Sequence, residues 1–186
     1  TIRDFLEGSP AARNTVSLPM GGSTCVAIWE NRDDRISYVA PRGHVFSYYL
    51  DGGTGTRRVD AGPETGRPGT VCIMPDGQTS EWEITTPFRF VHLYVPDDQL
   101  RSAFAMIHDC DARRMALPEL TFAEVPELVS PLLLLAEAAR RQDLLGADTA
   151  VSDLVGRLGT RDVILKGGLP AHLMRRIDDW IDAHLD

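Results

Sequence analysis

The chain has 186 residues, 43% hydrophobic and 25% charged, which is enough for one core of ordinary size with appended helices. Its formal net charge of −8 argues against a nucleic-acid-binding surface in this part of the protein, because such surfaces need clustered Lys and Arg to neutralise phosphates. Lys166 is the only lysine, and the arginines are scattered in pairs with no basic stripe.

Cysteine usage and hydropathy favour a cytoplasmic location. Cys25, Cys72 and Cys110 are odd in number, lie far apart and form no Cys-x-x-Cys pair. No apolar run is long enough to cross a bilayer, and the first ten residues lack the basic and apolar regions of a secretory signal. We therefore expect a cytoplasmic protein that makes no membrane contact.

The first half of the chain has the pattern of short β-strands. Six β-branched or aromatic runs are divided by turn residues, and this density favours an antiparallel barrel or sandwich. Residues 51–55 are expected to close a hairpin, and residues 61–68 form a polar Gly/Pro loop. The six runs begin at Cys25, Arg35, His44, Gly69, Ser80 and Phe88.

After Pro96 the hydrophobic period changes from two to nearly four, which predicts helices. The first is expected over residues 97–107, with acidic residues at its start. A second is expected to begin at Pro131 with Ser130 as its cap, and a third to run over about 148–165. The predicted fold class is therefore α+β: an N-terminal antiparallel barrel or sandwich followed by a small set of α-helices.

The spacing Gly69-x5-Pro75-x-Gly77 resembles the second signature of the cupin barrel, in which a histidine follows the turn and binds metal. Ser80 stands at that position here, and the region of the first signature offers only His44. The histidines, at 44, 92, 108, 172 and 184, include no pair at ligand spacing. The resemblance therefore implies a cupin-like barrel with no bound metal and no cofactor.

The last segment, GGLPAHLMRRIDDWIDAHLD, has an apolar stripe at helical spacing and a charged opposite face. It resembles the entry to the DNA-binding domain of AraC-type transcription regulators, in which a Gly-Gly-Leu linker precedes a scaffold helix. The alternative is an ordinary amphipathic C-terminal helix. The matching residues are Leu173, Arg175, Arg176, Ile177, Trp180, Ile181, His184 and Leu185.

The resemblance to AraC-type regulators implies a domain organisation. Residues 1–165 would form the effector-binding barrel with its dimerisation helices, residues 166–170 the linker, and residues 171–186 the first helix of a truncated helix-turn-helix domain. In that family the base-reading helices come later. DNA would then be bound only through a C-terminal domain that is missing from this sequence.

A small-molecule effector would bind in an aromatic cavity with a few polar tips. Strand alternation predicts that His44, Phe46 and Tyr48 share one face of their strand, and that Phe88, Phe90, His92 and Tyr94 share one face of theirs. The alternative, that these rings simply fill the barrel, is equally consistent with the sequence. The candidate ligand-binding residues are Trp29, Tyr38, His44, Phe46, Tyr48, Trp82, His92 and Tyr94.

The third predicted helix is a candidate homodimer interface. Its apolar residues pack either against the outside of the barrel or against another subunit, and both contacts are expected. In the resembled family the helices after the barrel form a two-fold contact. The candidate interface residues are Val151, Leu154, Val155 and Leu158.

The sequence therefore predicts the ligand-sensing and dimerisation part of an AraC-type regulator, with no catalytic residues. It contains no Gly-x-Ser-x-Gly elbow, no Walker loop and no His-Glu-x-x-His helix. The alternative function is a metal-dependent cupin-type enzyme, an isomerase or dioxygenase, with unusual ligands. A third possibility is a carbohydrate-binding or purely structural barrel, which leaves the terminal Arg-Arg helix unexplained.

Overall fold

The computed structural model describes residues 1–162 and 171–184. The helices are α1 (Ile2–Gly8), α2 (Asp97–His108), α3 (Pro126–Arg141), α4 (Leu144–Gly156) and α5 (Ala171–Asp182), and a 3-10 turn spans Ala112–Arg114. The strands are β1 (Arg13–Gly21), β2 (Thr24–Asn31), β3 (Asp34–Tyr38), β4 (His44–Gly52), β5 (Thr56–Arg58), β6 (Val71–Met74), β7 (Ser80–Ile84), β8 (Phe88–Val95), β9 (Met115–Ala116), β10 (Leu120–Ala123) and β11 (Gly159–Thr160).

Two antiparallel sheets face each other. The larger has the strand order β1-β2-β8-β4-β6-β10, and the smaller has the order β3-β7-β5. From β2 to β8, consecutive strands alternate between the two sheets, which is the jelly-roll arrangement of cupin barrels. The predicted α+β class, a cupin-like antiparallel barrel followed by helices, is confirmed, and each of the six predicted strands is present.

The larger sheet has two buried faces, which differ in composition. Its inner face meets the smaller sheet in a cluster rich in aromatic side chains, such as Trp29, Phe90 and Trp82. Its outer face is covered by α3, which packs on β1, β2, β4 and β8. The side chains between them are mainly aliphatic, as at Val26, Leu93 and Leu132.

Residues 51–55 do not close a hairpin, contrary to the sequence-based expectation. β4 pairs with β6 and β8 in the larger sheet, whereas β5 pairs with β7 in the smaller one. The connecting segment therefore crosses from one sheet to the other. Gly52 and Gly53, with φ of 67° and 89°, adopt the left-handed conformations that this crossing requires.

Two of the three predicted helices begin elsewhere. α2 follows the expectation, but α3 begins at Pro126 and carries Pro131 in its interior. Proline suits a first helical turn, so the sequence offers two possible starts, and the earlier one is used. α4 begins at Leu144, because Asp143 caps it by accepting a hydrogen bond from the Gly146 amide at 2.9 Å.

The terminal segment forms the expected helix, α5, over Ala171–Asp182. Ile177, Trp180 and Ile181 lie on one face of it and are 42%, 63% and 40% exposed. The His184 ring stacks on the Trp180 ring with centroids 4.4 Å apart. The predicted linker at residues 166–170 lies outside the described residues.

Candidate functional site

The interior of the barrel is lined by alternate residues of four neighbouring strands in the larger sheet. On β8 these are Phe88, Phe90, His92 and Tyr94, as the sequence alternation predicts. Their rings follow one another along the strand, with successive centroids 4.5, 4.6 and 5.4 Å apart. This row of rings forms the central wall of the interior.

On β4 the sequence-based assignment of faces is wrong. Phe46 and Tyr48 point outward and pack in the cluster beneath the helices. Ser47 and Tyr49 point inward instead, and Ser47 lies between His92 on β8 and Cys72 on β6 in the strand register. The side chain of β4 in the centre of the cavity wall is therefore a small hydroxyl.

His44 is not a cavity residue either, because it joins the barrel to α2. Its Nδ1 accepts a hydrogen bond from the Asp76 amide at 3.0 Å, and its Nε2 lies 2.8 Å from Asp97 Oδ1. Asp97 is also bonded to Arg101. Burial alone would raise the pKa of Asp97, but the hydrogen bonds from Arg101 and His44 outweigh it, so the pKa lies below its usual value.

The remaining predicted aromatic residues face the interior to different extents. Tyr38 and Trp82, from the smaller sheet, line the cavity together with His92. Trp29 and Tyr94 belong to the same buried cluster but do not line the open space. Tyr38, Trp82 and His92 are therefore the predicted ligand residues that the structure brings together around the cavity.

The open space within the barrel is small. Its volume is about 30 Å³, enough for a water molecule and far below the several hundred cubic ångströms of an ordinary ligand pocket. In this conformation the aromatic rings therefore fill most of the barrel. The lining residues are Leu6, Asn31, Tyr38, Ser47, Tyr49, Thr56, Cys72, Met74, Trp82, Ile84, Phe88, Phe90 and His92.

Several polar groups are nevertheless buried around this space. The Thr56 hydroxyl has no hydrogen-bond partner within the described part of the chain, although the residue is 1% exposed. Burial holds the pKa of the Tyr49 phenol well above its usual value, and the Tyr49 and Thr56 hydroxyls do not meet with hydrogen-bond geometry. A buried polar group without a partner is energetically unfavourable, by about 1–3 kcal/mol.

His92 is held in its neutral form. Burial lowers its pKa to about 3, because the charged imidazolium would lose its hydration. Its Nδ1 lies 2.9 Å from the Tyr94 hydroxyl. A neutral imidazole can donate a hydrogen bond from one ring nitrogen and accept one at the other. His92 therefore adds a polar but uncharged group to the cavity wall.

A groove lies at the mouth of the barrel. Its volume is about 720 Å³, and Asn31 and Phe88 line both the groove and the interior space. Its other walls carry charged side chains, among them the pair Arg13 and Glu30, which are joined at 2.6 Å. The interior therefore adjoins a solvent-accessible groove large enough for a small molecule.

The structure gives no grouping of metal ligands. Among residues 1–162 and 171–184, no three His, Cys, Asp or Glu side chains come together in a way that could hold a metal ion. Ser80, which stands where the cupin signature has a ligand, accepts a hydrogen bond from Trp82 Nε1 at 2.8 Å. The turn around Pro75 and Gly77 is present between β6 and β7.

The residues predicted for the dimer interface lie mostly inside the chain. Leu154 and Val155 are fully buried and Leu158 is 6% exposed, while Val151 is half-buried. They belong to the aliphatic cluster, where α4 packs against α2 and α3. Side chains that one chain already covers are not available to a second copy, so this assignment is corrected.

Sequence reasoning missed much of the cavity wall, including Ser47, Thr56 and Leu6. Thr56 lies on β5, a three-residue strand with no alternation pattern long enough to detect. Leu6 is buried on α1, a helix of seven residues whose capping box at Thr1 and Asp4 was a detectable signal. α1 therefore closes part of the barrel interior.

No protein-family model matches the sequence, and no curated protein matches it either. Solved structures similar to part of the chain include the EutQ protein of Clostridium difficile, at 15% identity and a TM-score of 0.38 over 46% of this chain and 68% of that one. A conserved Klebsiella pneumoniae protein with a double-stranded β-helix domain is 19% identical, with a TM-score of 0.39 over 52% and 82%. A Ralstonia eutropha protein with a cupin-like fold is 12% identical, with a TM-score of 0.41 over 49% and 63%.

These likenesses are too distant to carry any conclusion about activity, and the fold assignment rests on the strand order itself. Among the described residues, no helix is both long and apolar enough to cross a membrane.

Proposed function

We propose that this chain is the ligand-sensing and dimerisation part of an AraC-type transcription regulator. The observation that carries the proposal is α5, which presents Ile177, Trp180 and Ile181 as an exposed apolar face. Such a face needs a partner surface. Its residue pattern resembles that of the scaffold helix which opens the DNA-binding domain in these regulators.

The barrel supplies the sensing part of the proposal. Its interior combines aromatic walls with buried polar groups, such as the unpartnered Thr56 hydroxyl, and it adjoins a groove of about 720 Å³. A ligand that prefers one arrangement of barrel and helices shifts the population toward that arrangement, by no more than its differential affinity for the two. The effector is a small molecule, and DNA is contacted only by the domain that follows α5.

The test of the regulator proposal uses the full-length protein, of which this chain is proposed to be the ligand-sensing part. The purified full-length protein is incubated with fragmented genomic DNA, and the retained fragments are sequenced. We expect one or a few fragments to be enriched repeatedly, and the 186-residue chain to enrich none because of its charge of −8. Equal, non-selective retention by both proteins would contradict the proposal.

The homodimer in this proposal forms through the outer faces of α3 and α4. Leu133 and Leu134 on α3 are 43% and 53% exposed, and Leu144 and Leu145 on α4 are 51% and 77% exposed. Large exposed apolar side chains on neighbouring helices are typical of subunit contacts. They replace the buried residues that the sequence suggested.

Sedimentation velocity tests this interface. Leu134→Glu combined with Leu145→Glu is expected to give a folded monomer, because both side chains already face water in a single chain. The matched control is Gln78→Glu, an exposed position in the turn between β6 and β7, which should remain a dimer. If the double variant sediments as a dimer, the interface lies elsewhere.

A further inference from the structure

The wall of the interior cavity carries no charge. None of the lining residues is Asp, Glu, Lys or Arg. The titratable groups among them are neutral at pH 7, because burial raises the pKa of the Cys72 thiol to about 12 and lowers that of His92 to about 3. Burial also holds the pKa of the Tyr38 and Tyr49 phenols well above their usual values.

The nearby buried cation is already paired outside this wall. Arg58 is 6% exposed and lies over the Trp82 ring, with its guanidinium carbon 5.9 Å from the centroid. It forms ion pairs with Asp60 and Glu119. A charged group entering the cavity would therefore lose its hydration without gaining a counter-charge, which is strongly unfavourable.

One hydrogen-bonding group of the cavity wall is not used within the described part of the chain. The Thr56 hydroxyl lines the space and lacks a partner among the described residues. Ser47 projects into the same space between His92 and Cys72. One polar group of a ligand placed here could pair with the Thr56 hydroxyl, which has no partner among the described residues.

The rest of the wall suits a planar ring. Phe88 stacks on Tyr49 with centroids 5.0 Å apart and on Phe90 with centroids 4.5 Å apart. Trp82 faces the space from the smaller sheet. Phe88 also borders the mouth groove, so a ligand arriving there meets the end of this aromatic stack first.

We propose that the barrel interior binds a small uncharged molecule with one aromatic ring and one hydroxyl or carbonyl group, and that the Thr56 hydroxyl bonds this polar group. This inference rests on the proposed sensing role of the barrel and names the ligand class. The ring enters the aromatic stack by displacing Phe88, since the present space of about 30 Å³ does not hold a ring.

Three probes of nearly equal size separate the effect of charge from that of volume. Benzyl alcohol, benzoate and benzylammonium share a ring and differ in charge at pH 7, so the free energy needed to open the cavity is similar for all three. Binding to the 186-residue chain is measured by isothermal titration calorimetry. We expect benzyl alcohol to bind at least tenfold more tightly than either ion.

A variant then tests the role of Thr56. Thr56→Val keeps the shape of the side chain and removes the unpartnered hydroxyl, so we expect about fivefold weaker binding of benzyl alcohol with a melting temperature that is unchanged or higher. Binding of toluene, which has no hydroxyl, should be unaffected. Thr54→Val, at an exposed position of the adjacent loop, is the matched control and should bind like the wild type.

The outcomes separate this inference from the proposed function. Equal or tighter binding of benzoate or benzylammonium would overturn the uncharged class while leaving the barrel as a ligand site. Unchanged binding of benzyl alcohol by Thr56→Val would overturn the assigned contact. If none of the three probes binds while the longer protein still selects DNA, the ligand class is wrong and the regulator proposal stands.

Discussion

The two faces of the larger sheet are built from the same strands but are packed in different ways. The outer face meets α3 and α4 through aliphatic side chains such as Leu132 and Leu154, which are fully buried. The inner face meets the smaller sheet through rings, and the layer between the two sheets holds buried polar groups such as Thr56 on β5 and His92 on β8. The outer face is thus optimised for stability, whereas the inner face retains unfavourable groups, which is typical of binding sites.

The largest effect should follow from placing a charge in the outer layer. Leu154→Glu buries a carboxylate at a fully enclosed position, and we expect a loss of at least about 4 kcal/mol of unfolding free energy and a largely unfolded protein. Far-UV circular dichroism with urea titration measures it. Ser152→Glu, exposed on the same helix, should stay folded. A folded monomer of Leu154→Glu would restore this position to the dimer interface.

A smaller loss is expected from a cavity in the same layer. Leu132→Ala should lower the unfolding free energy by about 3 kcal/mol, because a fully buried leucine leaves a void that the neighbours fill only in part. Its neighbour Leu133 is 43% exposed, and Leu133→Ala should change the unfolding free energy by less than about 0.5 kcal/mol. Both changes are made in the monomeric Leu134→Glu/Leu145→Glu background, and similar losses in urea titrations would contradict the assignment of faces on α3.

The inner face should make stability depend on pH through His92. The unfolded chain binds a proton on this residue near pH 6.5, whereas the folded chain does so only near pH 3. The protonation of His92 should therefore not affect the unfolding free energy above pH 6.5. As the pH is lowered from 6.5 to 3, the unfolding free energy should fall by up to about 1.4 kcal/mol per pH unit. By pH 5 the accumulated loss of unfolding free energy is about 2 kcal/mol.

His92→Phe provides the comparison for the pH effect. We expect its stability to fall less steeply than that of the wild type between pH 6.5 and 5, in urea titrations at each pH. His108→Phe, on α2, serves as a matched histidine replacement. Parallel pH profiles for the wild type and His92→Phe would mean that the imidazole is not held neutral by burial.

The sequence correctly predicts which side chains of β8 point into the barrel, but it does so wrongly for β4. The difference has a physical cause. On β8 the exposed Arg89 between Phe88 and Phe90 marks the outer side, so alternation reports the face. On β4 all residues from His44 to Tyr49 are buried, because both sides of the strand are covered. The aromatic side chains of Phe46 and Tyr48 then made them the better candidates for the cavity wall, whereas it is Ser47 that lines the cavity.

The architecture was predictable because it depends on patterns that repeat. The strands between turn residues and the later change of period suffice for the barrel and its helices. The cavity depends instead on single side chains from elements distant in the sequence, such as Leu6 on α1 and Thr56 on β5. No local pattern reports which of these side chains meet.

The position of β4 at the centre of the molecule has a mechanical consequence. A strand is one residue thick, so Ser47 and Tyr49 touch the cavity while Phe46 and Tyr48 touch the helical layer from the same stretch of backbone. At the start of this strand His44 is bonded to Asp97, the first residue of α2. The cavity and the helices are thus separated only by the β4 backbone. A displacement of β4 by a fraction of an ångström therefore changes the contacts of the cavity and of the helices at the same time.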